Sequence, residues 1–165
     1  LDEQKQSLAE HAYTLLNRWS TCPGMQKDGS FNEEVFRAWI TEVRRLTEES
    51  GHDEIAQVEI GKVLTHASAD PSGLWIHKSV ADVLNRRDSK IMRRDFMIAL
   101  MNQRGVHSFS HGVQERELAR GYREKAKAVE MAGFVRFAAT MRALADQYDE
   151  DAERDERRDP FEDYS

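Results

Sequence analysis

Apolar residues recur at a period near 3.6 along most of the chain, and no stretch alternates apolar with polar as a half-buried strand does. Leu8, Ala12, Leu15, Leu16 and Trp19 mark a first amphipathic helix over residues 2–19, with Asp2 and Glu3 in the turn where the helix dipole favours acids. Thr21-Cys22-Pro23-Gly24 ends it, since proline cannot continue the hydrogen-bond ladder. Ser30 followed by Glu33 has the spacing of a capping box and opens a second helix. Its stripe of Val35, Phe36, Trp39, Ile40, Val43 and Leu46 reads as core, and Gly51 is its natural stop.

Asp53 can cap a third helix that buries Ile55, Ala56, Ile60, Val63, Leu64 and Ala67. A fourth, over residues 76–86, presents Ile76, Val80, Val83 and Leu84, and Trp75 staples the preceding 69–73 loop to the core. Asp88 or Ser89 caps a fifth helix carrying Met92, Phe96, Ala99 and Leu100. After a loop, Leu118, Tyr122, Ala126 and Val129 mark a sixth over residues 113–131. Gly133 either separates or kinks it from a seventh, on which Phe134, Phe137, Ala138, Met141, Leu144, Ala145 and Tyr148 form one stripe.

The pattern predicts an all-α fold, an irregular multi-helix bundle of about seven helices, with an α-α superhelix of helical hairpins as the alternative. One helical domain spans 1–148. Residues 149–165 form a charged tail, frayed and then disordered, because DEDAERDERR leaves no apolar face to dock.

Composition adds limits. At 39% hydrophobic and 33% charged residues, the chain suits a single helical domain with long solvated faces. No run approaches a membrane span and no signal peptide opens the chain, so a soluble, cytoplasmic protein without membrane association is expected. The first residue is Leu, not Met, which reads as a piece of something longer. Cys22, the only cysteine, sits beside Pro23 and Gly24 outside any cysteine-enzyme motif, and reads as a small loop residue rather than a nucleophile.

Charge is uneven. Residues 1–85 carry 8 basic and 14 acidic side chains, residues 86–127 carry 11 and 5, and residues 128–165 carry 5 and 11. In the basic block Arg116, Arg120 and Arg123 share one helix face, and Arg86, Arg87, Lys90, Arg93 and Arg94 gather near the start of the previous helix. Both sets could border one phosphate-binding surface. The plainer reading pairs these arginines with the acidic tail or with Glu115, Glu117 and Glu124.

The loop between the fifth and sixth helices holds the candidate chemistry. His107, His111 and Glu115 are four apart, a zinc-ligand set if they lay on one helix. Gly105 and Gly112 break that geometry, and the His-Glu-x-x-His pattern of zinc proteases is absent. The plainer reading has one histidine capping carbonyls at the end of the fifth helix, while Gln114, Glu115 and Arg116 open the sixth. The chain contains no P-loop, Rossmann glycine pattern or nucleophile elbow. No residue takes a catalytic or metal-binding role, and no cofactor is implied.

Asn102-x-Arg104-Gly105-Val106, followed by Gln114-Glu115-Arg116-x-Leu118-Ala119-x-x-Tyr122-Arg123, resembles a pattern in helical C-terminal regions of large, uncharacterised bacterial proteins. The likeness reaches back to Trp19, Pro23-Gly24 and Gly29. It implies a bacterial, cytosolic accessory domain at the end of a multidomain chain, with no activity attached.

Three functions are therefore in view. The first is a non-enzymatic interaction domain that holds a partner protein or the upstream part of its own chain. Its surface would include Arg104, His107, His111, Arg116, Arg120 and Arg123. The second is a nucleic-acid-associated domain using residues 86–127, and the third a metal-dependent enzyme at His107 and His111.

Overall fold

The structure is a computed structural model, and it describes residues 20–104 and 112–157. Among the described residues six α-helices follow in order: α1 Glu33–Ser50, α2 Asp53–Leu64, α3 Lys78–Asn85, α4 Lys90–Gln103, α5 Val113–Met131 and α6 Val135–Arg157. Among the described residues no strand forms, only one antiparallel bridge between Met25 and Phe31. The fold is an all-α bundle. The predicted helix over residues 2–19 lies outside the described residues, as do His107 and His111 and the last eight residues of the tail.

Several helix ends differ from expectation for local reasons. The α1 cap is Asn32, whose Oδ1 accepts from the Val35 amide at 3.0 Å, because the Ser30 hydroxyl is already given to Asp28 at 2.7 Å. His52, not Asp53, holds the cap position of α2, which leaves Asp53 and Glu54 in the first turn where the dipole favours them. α3 starts only at Lys78, with His77 Nδ1 accepting from the Ser79 amide at 3.3 Å. Ser89 stands at the α4 cap position but makes no side-chain cap bond.

Gly133 makes a turn, not a kink. Its φ of +94° lets its amide reach Glu130 O at 2.8 Å while the Phe134 amide reaches Val129 O at 2.9 Å, the paired bonds of a Schellman stop. α6 then runs back along α5. Glu130 pairs with Arg142, Arg123 with Asp146 and Arg116 with Glu156, so the two helices are antiparallel over their whole length. Helical order also continues past Tyr148. The sequence showed no apolar anchor there, but Ala152 is one: it is fully buried, and the Gly112 backbone approaches it so closely that a Cβ would fall 2.7 Å from its carbonyl oxygen.

The core gathers around Phe137, which meets Phe96 edge-on at 5.4 Å and Trp75 at 5.8 Å. Burying a phenylalanine of this kind contributes about 2–3 kcal/mol. α2 and α4 cross at Gly61, where a Cβ would lie 2.4 Å from the Met92 carbonyl oxygen; only glycine allows that approach. The apolar stripe of α1 is core only in part. Phe36 and Ile40 are buried, whereas Val35 and Leu46 are about half exposed, at 49% and 50%. Between those extremes Trp39 and Val43, with Ile55, Ala56 and Ile60 of α2, line an apolar groove of about 270 Å³.

Candidate functional site

The loop that stood out in the sequence joins α4 to α5, and its two flanks meet in one corner of the bundle. Arg104, just past the end of α4, forms an ion pair with Glu115 in the first turn of α5. Both are nearly buried, at 13% and 8% side-chain exposure. An acid in that turn also meets the positive end of the helix dipole. The Arg104 guanidinium lies over the Tyr148 ring at 5.3 Å, and Tyr148 stacks on Tyr122 at 5.6 Å with the rings 2° from parallel.

The row continues outward. Lys125 Nζ sits 5.1 Å from the ring centres of both Tyr122 and Trp75, and Trp75 Nε1 donates to the Lys125 carbonyl at 3.1 Å. Five side chains thus form one row of two cations and three rings: Arg104, the stacked pair Tyr148 and Tyr122, Lys125 and Trp75. Each cation–ring contact is worth about 0.5–1 kcal/mol at an exposed site and more where water is excluded. Burial raises the phenol pKa of Tyr122 and Tyr148 above the ordinary value, Arg104 opposing the shift in both. Both rings are therefore neutral at physiological pH. Beside the row a cavity of about 390 Å³ opens on α5, lined by Arg104, Gln114, Glu117, Leu118, Gly121, Tyr122 and Lys125.

The arginine face of α5 is largely engaged by α6. Arg116 makes two hydrogen bonds of 2.9 Å to the carboxylate of Glu156. Arg123 reaches Asp146 at 2.8 Å and Asp149 at 2.6 Å. Arg120 is exposed and makes no ion pair among the described residues. The pairing with the acidic tail therefore has a structural basis, and the phosphate surface loses two of its three helix-face cations. The earlier cluster is split too: Arg86 leans on Asp82 at 3.6 Å, and Arg94 is held by Asp95 at 2.6 Å.

Arg104, Arg116 and Arg123 thus all sit on the α5–α6 hairpin and its entrance, but as three separate ion pairs. His107 and His111 lie outside the described residues. Among the described residues no three His, Cys, Asp or Glu side chains gather into a group able to hold a metal. Cys22 is fully buried, and burial pushes its thiol up to about 12, so it carries no thiolate to act as nucleophile. Sequence reasoning missed Trp75, Tyr148 and Lys125 as members of one row. The signal was weak: Tyr122 and Lys125 are three apart on a helix, but their ring partners come from 50 residues before and 26 after.

No helix among the described residues is long and apolar enough to cross a membrane. No protein-family model matches the chain, and searches of characterised proteins and of solved structures find no match. The likeness to C-terminal regions of bacterial proteins gains no support from these comparisons.

Proposed function

We propose that the chain is a non-enzymatic helical accessory domain whose α5 groove holds a segment of a partner protein or of a neighbouring domain. Gly121 carries the reading. It lies in the interior of α5, where glycine costs about 1 kcal/mol relative to alanine. Gly61, the other glycine inside a helix, is demanded by the backbone of α4, but a Cβ on Gly121 would meet nothing within 4 Å. Packing within the described chain gives no reason for a glycine there. It keeps the groove floor low between Leu118, Tyr122 and Lys125, where another backbone can approach. Tyr and Arg held rigid by stacking and ion pairing are also the side chains that anchor protein interfaces at small entropic cost.

The test is photo-cross-linking inside cells from an unnatural residue at position 117, on the groove rim. A discrete adduct, identified by mass spectrometry, is expected, and Gly121→Leu should abolish it while leaving the helical circular dichroism intact. No adduct from position 117, or one unaffected by Gly121→Leu, would overturn the reading.

Nucleic-acid association through residues 86–127 ranks lower, because Arg116 and Arg123 already face carboxylates of α6. A metal-dependent enzyme centred on His107 and His111 rests on residues outside those described.

A further inference from the structure

A second group of cations is arranged differently. Lys90, Arg93, Arg94 and Met97 stand at i, i+3, i+4 and i+7 on α4, and Arg136, Ala139, Thr140 and Ala143 repeat that spacing on α6. Between the two faces lies a shallow, open groove of about 460 Å³. Half-buried Met97 and exposed Ala139 and Ala143 give it an apolar side, and its cations come from the first two turns of both helices.

That placement runs against the helix dipole, which favours acids at N-termini and penalises cations. α1, α2 and α5 obey the rule with Glu33 and Glu34, Asp53 and Glu54, and Glu115. α4 and α6 have no acid in the first turn. The two nearest carboxylates in sequence are taken: Asp88 by Arg44 at 2.7 Å, and Asp95 by Arg94 at 2.6 Å. Lys90 and Arg136 make no ion pair with any described residue. Arg93 spends one nitrogen on the Leu84 and Arg86 carbonyls, at 2.7 and 2.6 Å, which fixes it in place without neutralising it. Burial first, and then the like charge of Arg136, pulls the Arg93 guanidinium below its ordinary range, with the charge of Asp88 opposing them only in part. Local conflicts of this kind concentrate at functional sites.

The fold also shows what resolves the conflict. α3 likewise begins with a cation, Lys78, and has no acid in its first turn. There Asp70 arrives from the preceding loop, accepting from the Lys78 amide at 3.0 Å with its other oxygen 3.9 Å from Lys78 Nζ. At the start of α6 only a neutral group stands there, Asn85 Oδ1, which accepts from the Arg136 amide at 2.8 Å, and no carboxylate of the described residues pairs with Lys90 or Arg136. We propose that the groove is a binding site for a small phosphomonoester, with Lys90, Arg93 and Arg136 holding the phosphate and Met97, Ala139 and Ala143 receiving an apolar body. Guanidinium groups suit the dianion because they offer paired, charge-assisted hydrogen bonds. This site is separate from the α5 groove, and its test does not depend on that reading.

Titrating the 165-residue chain with phenyl phosphate and with inorganic phosphate, at constant ionic strength in chloride, tests the proposal through backbone NMR shifts. Phenyl phosphate is expected to perturb residues 90–97 and 136–143 and to bind at least about tenfold tighter than inorganic phosphate, given roughly 1.4 kcal/mol per tenfold from the apolar side. Arg136→Gln and Lys90→Gln should each weaken it about tenfold, whereas Arg116→Gln and Arg123→Gln should leave it unchanged. Equal affinity for the two probes would overturn the apolar half of the assignment. Shifts centred on α5, or no saturation beyond the chloride control, would overturn all of it. So would binding of a single-stranded oligonucleotide with none of either monomeric probe, which would mark a backbone-tracking surface instead.

Discussion

The arginines of α5 and the cations of the α4–α6 groove have similar composition but opposite electrostatic states. On α5, Arg116 and Arg123 each face carboxylates supplied by the antiparallel α6. In the groove, Lys90 and Arg136 stand at two helix N-termini without an ion-paired carboxylate, and Arg93 beside them feels the charge of Asp88 but makes no ion pair. A basic cluster in a sequence is therefore not yet a basic surface. What matters is whether the fold brings an acid to it, and α6 does so along its C-terminal half but not at its own start.

The strongest neutralisation is the Arg104–Glu115 pair, the most buried of the cation–carboxylate contacts in the corner. Glu115→Gln should cost about 3 kcal/mol in urea denaturation, because it strands the Arg104 charge under Tyr148. The double variant Arg104→Met/Glu115→Leu should recover most of that loss, since neither charge then needs a partner. A loss below about 1 kcal/mol for Glu115→Gln would mean that water reaches the pair, and the corner would behave like the exposed part of the α5 row.

Asp70 gives the next largest effect and tests the principle at a site where the chain supplies its own anion. Burial alone would raise its carboxyl, but hydrogen bonds from Ser72 and from the Lys78 amide, with the charge of Lys78, outweigh burial and hold it at about 2. A carboxylate depressed in the folded state stabilises fully above its unfolded value near 3.9, and that contribution is lost as pH falls through the folded value. Asp70→Asn should thus cost about 2 kcal/mol at neutral pH. The gap between variant and parent should close between about pH 4 and pH 2. A gap that persisted at pH 2 would assign the role of Asp70 to neutral hydrogen bonding and weaken the analogy with the groove.

Much of the fold was legible because the signals were local. The apolar stripe of α5 and its bracketing glycines placed that helix at Val113–Met131, whereas turn or kink at Gly133 stayed open in the sequence and its positive φ decides for the turn. The chemistry was less legible because it is not local. Arg116 and Glu156 are 40 residues apart, so composition could suggest a pairing with the tail but not choose the partner. The stripe of α1 identified one apolar face without saying how far along it Val35 and Leu46 would remain exposed. Arg136 belongs to a segment that is acidic on average, so no running charge window could join it to Lys90 and Arg93. The partnership exists only once α6 packs beside α4.

The smallest effect is the most direct comparison of the two regions, because it is read as a sign. Arg123→Gln removes a cation that two carboxylates face, and at 47% exposure solvent screening limits the loss to about 0.5 kcal/mol. Arg136→Gln and Lys90→Gln remove cations from helix starts that lack an acid, so each should stabilise the protein by a few tenths of a kcal/mol in phosphate-free buffer. Raising sodium chloride to about 1 M should shrink both effects toward zero, since the screening length falls to about 3 Å. Adding phenyl phosphate should reverse only the second sign: it stabilises the parent through binding and leaves Arg136→Gln behind. Matched denaturation curves for the three variants, with and without that ligand, give the answer. If Arg136→Gln and Lys90→Gln destabilise as Arg123→Gln does, the groove cations already have partners, and the contrast between the two regions disappears.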